Sequence, residues 1–305
     1  MILCAGEALI DMLPRQTAQG EDAFVPHPGG AVFNTAIALG RLGVETGFFC
    51  PLSNDHFGNL LRTALTGSGV DHVYSPVVAR PCTLAFVTLT EGQARYTFYD
   101  TRTALRDMDV NELPQLPERV RALFLGGISL VGGASARSLE TLMEQAGDRI
   151  VMLDPNIRPG FISDEAAYRA RLDRMLARAD IVKLSDEDLS WLMGEDEIDV
   201  QIARLREKGP KIVVVTEGAA GARAVNDENN VHVSAKRVQV VDTVGAGDTF
   251  NAGFLASLMR SPTLSRDDLN MLDAATLCDA LSLGARAAAV TVSRAGANPP
   301  WEHEL

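Results

Sequence analysis

The chain of 305 residues is 46% hydrophobic and 22% charged, a balance that excludes disorder and allows a large core, as one big domain or a main domain with a small one. A formal net charge of -12 excludes nucleic acid and anionic membranes as general partners, because both need a basic field, so any phosphate ligand has to be held locally. The four cysteines, Cys4, Cys50, Cys82 and Cys278, lie far apart with no CxxC pair, which argues against a zinc site or a disulfide framework and for a reducing cytoplasm.

The first run, "MILCAGEALIDM", lacks the basic flank of a leader, and no apolar run reaches the ~18 residues of a membrane span, so a soluble, unprocessed protein is expected. Residues 11–28 carry no amphipathic pattern. In "AVFNTAIALGRLG" apolar residues return at Val32, Phe33, Ala36, Ile37 and Leu42 with Gly43 as a stop, which predicts a helix, and "ETGFFC" follows as a strand. Residues 77–105 again lack helical spacing and contain "CTLAFVTLTEGQARYTFY", two β-rich segments around Glu91-Gly92-Gln93, a hairpin signal. Ala85, Val87 and Leu89 point to one face and Leu84 and Phe86 to the other, so both faces need covering. Residues 11–28 and 77–105 together fit a small β-sheet lid; an ordinary hairpin at a sheet edge is the alternative.

Farther on, "RALFLGGI", "RIVMLD", "DIVKLS" and "KIVVVTEG" read as strands, and "DEAAYRARLDRMLARA" as a helix with its stripe at Ala167, Leu172, Met175 and Leu176. Strands alternating with helices predict a doubly wound, mostly parallel α/β sheet flanked by helices. No long linker, low-complexity tract or internal repeat interrupts residues 1–305.

Near the end, "VVDTVGAGDTFNAGFLASLM" places a predicted strand, "VQVV", before Gly245-Ala246-Gly247 and a helix from about Asp248. The first turn of such a helix presents unpaired N–H groups and the positive end of the macrodipole, and glycines leave them approachable, which makes an anion hole. Asp248 could be a simple cap. A cap alone leaves the glycines unexplained, whereas a carboxylate beside an anion hole can take a proton from a hydroxyl that attacks the held group, as phosphoryl transfer requires. The chain has no GxxxxGK[ST] and no GxGxxG after its first strand, which argues against a P-loop enzyme and a nicotinamide oxidoreductase.

"DTVGAGDTF", Asp242 to Phe250, resembles the C-terminal signature of the PfkB, or ribokinase-like, carbohydrate kinases, and "GGAVFNTAIALGRLG", Gly29 to Gly43, resembles the N-terminal one. The likeness extends through "GEALIDM", "DPNIR", "KLSDEDL", "VTEGAAGA" and "SRAGANPP", essentially the whole chain. It implies a ribokinase-like α/β core with a β-sheet lid, often a homodimer surface, and transfer of the ATP γ-phosphoryl group to a sugar hydroxyl. By the same resemblance Asp248 is the base, and Gly245, Ala246 and Gly247 form the anion hole. Asp11, Gly30 and Asn34 match the residues that bind sugar hydroxyls, and Asn156 and Arg158 match a substrate- and phosphate-facing pair. Thr216, Gly218 and Gly221 match the ATP-side loop.

Read on residue preferences alone, Asp11 is also a strand-end turn, Asn34 a polar residue of a first helical turn and Arg158 a surface cation. "KLSDEDL" departs from the family's Asn-x-x-Glu, with Ser185 at the asparagine position and Asp188 at the glutamate position. Asp188 can hold Mg²⁺ through waters or be a helix N-terminal acid. Asp242 resembles a ligand for a monovalent cation such as K⁺, with carbonyls near Arg294 and Gly296.

In the lid, kinases for the acidic sugar 2-keto-3-deoxygluconate look like Tyr-Tyr-Arg followed by Ser-Ala, where this chain has Phe98-Tyr99-Asp100 and Thr103-Ala104. An acid at that place repels a carboxylate, so the segment resembles the bacterial fructokinase branch and implies a neutral ketohexose, fructose first. Arg102 could supply a cation and keeps the sugar acid as the second reading. Phe98 is either an apolar cover over the sugar or a lid-core residue. A non-catalytic sugar-binding regulator on the same fold is the reading from another class, opposed by the retention of Asp248 and its glycines.

Overall fold

A computed structural model describes residues 1–90 and 93–305, with side chains described outside 89–96. The β-rich start divides in two: β1 (Ile2–Ala5) enters the core, and after Gly6-Glu7-Ala8 the chain leaves it as β2 (Leu9–Gln16) and β3 (Asp22–Gly29). Next come α1 (Ala31–Arg41), β4 (Thr46–Phe49), β5 (Leu52–Ser53), α2 (His56–Gly67), β6 (Val70–Asp71) and β7 (Val77–Val78). The expected hairpin is present as β8 (Leu84–Thr90) and β9 (Gln93–Tyr99), antiparallel; the Glu91-Gly92 part of its turn lies outside the described residues.

Then β10 (Ala122–Gly126), α3 (Gly133–Glu144), β11 (Ile150–Asp154), α4 (Glu165–Leu176) and β12 (Ile181–Ser185) alternate as the spacing predicts. They are followed by α5 (Asp186–Met193), α6 (Ile198–Arg206), β13 (Ile212–Thr216), β14 (Ala222–Val225), β15 (Asn230–Val233), α7 (Ala246–Met259) and α8 (Ala274–Val292). The main sheet runs β15-β14-β13-β12-β11-β10-β1-β4-β6, parallel except for β14, which runs antiparallel to both of its neighbours, β13 and β15. Its central strands are buried along their length, as near-continuous apolar runs between two helical layers should be.

A second, smaller sheet runs β3-β2-β8-β9 and is built from the two segments expected to form a lid. Ala85 and Val87 are buried on one face. On the other, Phe24, Phe86 and Tyr99 form an aromatic row with ring centroids 4.9 and 5.3 Å apart, and Phe24 and Tyr99 remain 41% and 61% exposed.

Two expectations are corrected. "VQVV" is no strand: residues 235–240 are irregular and Val240 and Val241 are exposed, because among the described residues no strand pairs with them, and the Val241 N–H goes instead to the Val292 carbonyl at the end of α8. The expectation that no run is long and apolar enough to cross a membrane fails for α8, whose 19 residues reach a mean hydropathy of 1.2 over an 18-residue window. Its apolar face, including Leu277, Leu281 and Ala287, is spent on the core, where it meets α7 so closely that a Cβ on Gly253 would come within 2.7 Å of Gly284 Cα.

Candidate active site

The first turn of α7 is set by its glycines. Gly245, the cap residue, has φ of 77°, in the left-handed region, and a Cβ there would lie 2.7 Å from that of Ala297. The helix therefore begins at Ala246, and Asp248 stands in its first turn with the open N–H groups, as expected from the sequence. Its carboxyl reaches α1: Asn34 Nδ2 donates to Asp248 Oδ2 at 2.9 Å, and Thr35 Oγ1 lies 3.2 Å from the Asp248 carbonyl. Two segments far apart in sequence thus meet at one carboxylate.

Asp248 is 6% exposed, and burial above all pushes its carboxyl up to about 7. The bond from Asn34 and the Lys183 ammonium pull it down, while the Asp154 and Glu7 carboxylates push it up. A simple cap would have a depressed value; a carboxyl held near neutrality matches a general base.

Asp11, on β2, has no hydrogen-bond partner among the described residues, and burial pushes it up to about 6. Its Oδ2 lies over Gly29, where a Cβ would be 2.2 Å away. Gly30 has φ of 110°, and a Cβ there would meet the Glu7 carbonyl at 2.7 Å, so both glycines of the "GGAVFN" turn are dictated by close approach.

At the carboxyl ends of β11, β12 and β13 stand Asp154, Ser185 and Thr216, the edge where open α/β sheets bind ligands. Asp154 Oδ1 accepts from Asn156 N–H at 3.0 Å and holds Asn156 at a positive φ of 44°. Arg158, next along, is exposed, and its Nη1 donates to the Ile157 carbonyl; its charge and that of Lys183 pull Asp188 down against burial, which pushes that carboxyl up to about 6. Asp188 is 8% exposed in the first turn of α5, with its N–H on the Ser185 hydroxyl at 3.0 Å, the place of a helix N-terminal acid. Gly218 has φ of 52° with open space around its Cα, whereas Gly221 is required by packing, since a Cβ would fall 2.1 Å from the Val233 carbonyl.

Asp242 staples two segments: its Oδ1 accepts from Val244 N–H at 3.0 Å and its Oδ2 from Gly296 N–H at 2.9 Å. Phe98 stacks edge-on against Phe161 at 4.5 Å, tying the second sheet to the turn after Arg158.

The structure does not bring Arg102 to this cluster. Its side chain is 87% exposed and lies 3.9 Å from Asp107. Asp100 is also differently placed from what the charge comparison supposes: Arg106 Nε donates to its Oδ2 at 2.5 Å, so the acid is paired and its repulsion of an anionic sugar is largely cancelled.

Sequence reasoning missed Glu7, Asp154, Lys183 and Asn251. Asn251 Nδ2 and Lys183 Nζ both donate to Asp154 Oδ2, at 2.7 and 3.1 Å. Glu7 accepts from Ala31 N–H at 3.0 Å and fixes the start of α1. The legible signal was the lysine in the middle of "IVKLS", an apolar strand where an unpaired charge has no place.

The family model described as pfkB family carbohydrate kinase matches residues 1–304. A fructokinase from Rhizobium leguminosarum bv. trifolii is 49% identical over 274 residues, covering 90% of this chain and 84% of that protein. Among solved structures, a fructokinase from Xylella fastidiosa with bound ATP superposes with a TM-score of 0.88 at 29% identity, over 97% of this chain and 93% of that one. A fructokinase double mutant from Vibrio cholerae O395, in its fructose-, ADP- and potassium-bound form, gives 0.85 at 27% identity with the same coverage.

Proposed function

The chain belongs to the pfkB family of carbohydrate kinases, and from that premise we propose that it is an ATP-dependent fructokinase in which Asp248 is the base. The observation that carries the catalytic part is the placement of Asp248 in the first turn of α7, behind Gly245-Ala246-Gly247, with its carboxyl held near neutrality. In the proposed step a sugar hydroxyl gives its proton to Asp248 as its oxygen bonds to the γ-phosphorus. The bond from that phosphorus to the bridging oxygen breaks, and ADP leaves. Amide N–H groups of α7's first turn hold the charge on the transferring oxygens, so positioning and electrostatics supply most of the rate.

Around that step we assign Asp11, Gly30, Asn34 and Asn156 to the sugar hydroxyls and Arg158 to the phosphate. Phe98 covers the sugar, and Ser185, Thr216, Gly218 and Gly221 flank the nucleotide. Asp188 would hold Mg²⁺ through water, and its raised carboxyl is eased by a cation. Asp242 would orient the carbonyls near Gly296 toward a monovalent cation, its own oxygens being engaged by backbone N–H groups. Residues 1–305 act as one unit with the second sheet as lid, and the exposed row of Phe24, Phe86 and Tyr99 supports a homodimer through the lid. Free cysteines, three of them buried, support a cytoplasmic setting.

Fructose is preferred because proteins similar to this one over most of their length carry that activity in their names. With Asp100 paired to Arg106, the charge comparison no longer carries the choice of sugar. The test is ATP-dependent phosphorylation screened against fructose, ribose, a nucleoside and 2-keto-3-deoxygluconate, with the highest kcat/KM expected for fructose; a higher value for another acceptor overturns the substrate and leaves the kinase standing.

A further inference from the structure

Beneath α7 lies a buried network that the proposed step does not use. Lys183, in the middle of β12, is 3% exposed; its Nζ donates to Asp154 Oδ2 at 3.1 Å, and that oxygen also accepts from Asn251 on α7. A buried lysine on a central strand is rarely kept without a partner and a purpose. Its ammonium also sits directly under the anion hole: a Cβ on Gly247 would lie 3.1 Å from Nζ, so glycine at 247 leaves the room that the ammonium uses. The surroundings are otherwise acidic, with Glu7 after β1, Asp154 at the end of β11, Asp188 on α5 and Asp248 on α7, and Asn34 of α1 as the neutral donor to Asp248.

We infer that Lys183 is a positioning residue of the phosphoryl-transfer machinery, its ammonium locked by Asp154 and Asn251 under Gly247 so that the floor of the anion hole is positive and the acids around Asp248 are opposed by one fixed cation. The inference rests on the reading of Asp248 as the base. Physically, a desolvated carboxylate flanked by two other acids would hold its proton through neutral pH unless a cation of fixed position opposed them. Lysine suits the place because it is a compact point charge at the end of a stem that packs along an apolar strand. Asp154 adds a second link, since its other oxygen holds Asn156, so the network joins α7 to the "DPNIR" turn across two strand ends.

The experiment compares wild type, Lys183→Met and the neutral pair Asp154→Asn with Lys183→Met. The single change leaves Asp154 buried and unpaired; the double change removes both charges and guards against a variant that fails to fold. In the pH profile of kcat the acid limb of K183M is expected to move up by about one unit, roughly a tenfold loss on the acid side, with a smaller loss on the alkaline plateau. The double variant should return the limb toward the wild-type position, because Asp154 and Lys183 act on Asp248 with opposite sign. A readout independent of turnover is the titration of the Asp248 carboxyl carbon by ¹³C NMR, which should shift in the same order among the three proteins. An acid limb and a carboxyl titration both unmoved in folded K183M would overturn the inference. A wild type inactive toward every sugar, whose Asp248 still titrates higher in K183M, would overturn the kinase reading and keep the charge coupling.

Discussion

Replacing Asp248 by Asn should stabilise the protein in a pH-dependent way, and the size of the effect follows from where the structure puts the carboxyl. Burial above all lifts its pKa from the ordinary 3.8 to about 7, so the folded state binds the proton more tightly than the unfolded chain does. For an acid raised on folding, the stability contributed is fully present below the unfolded value and is lost as pH rises through the folded one. In wild type the penalty for ionising Asp248 therefore builds between about pH 4 and pH 7, reaching on the order of 4 kcal/mol at pH 8 and less than half of that at pH 5. Asparagine removes that penalty and can keep the contact, since its side-chain carbonyl can accept from Asn34 Nδ2 as the carboxylate does at 2.9 Å. Urea unfolding of wild type and D248N at both pH values measures the difference. The gain in D248N should be clearly larger at pH 8; equal gains, or a loss at pH 8, would refute the claim that the carboxylate is ionised against its surroundings.

Other outcomes follow from the same geometry. Gly245→Ala forces a side chain onto a left-handed φ of 77° and within 2.7 Å of Ala297, so it should lower kcat tenfold or more by moving the first turn of α7. Steady-state kinetics with an unchanged kcat would show that the turn does not need that geometry. Arg106→Ala leaves Asp100 without its cation and should lower kcat/KM for 2-keto-3-deoxygluconate relative to fructose severalfold; an unchanged ratio would place Asp100 outside the field of the sugar.

Much of this was legible in the sequence for identifiable reasons. The strands of the main sheet are apolar runs bounded by turn residues, and buried parallel strands leave little ambiguity. Asp248 and its glycines stood out because two glycines separated by one alanine at a helix start have few purposes. The resemblance matched Asn34 and Asp248 to one site, but the bond between them was not legible, since nothing local to either residue encodes a contact across the fold. Lys183 carried a local signal as a charge inside an apolar strand, but its pairing with Asp154 did not, because only the parallel register of β11 and β12 sets the two side by side. Asp100 misled because a charge read from sequence has no partner until Arg106 is placed against it. "VQVV" misled because a β-branched run predicts extended backbone, which still needs a neighbour to become a strand.

The most direct test of the central claim is fructose-dependent formation of ADP by wild type and D248N under saturating ATP and Mg²⁺ at pH 8. Wild type is expected to turn over, with D248N lower in kcat by roughly a hundredfold or more and little changed in KM for fructose. Turnover by D248N near the wild-type rate would contradict the assignment of Asp248 as the base.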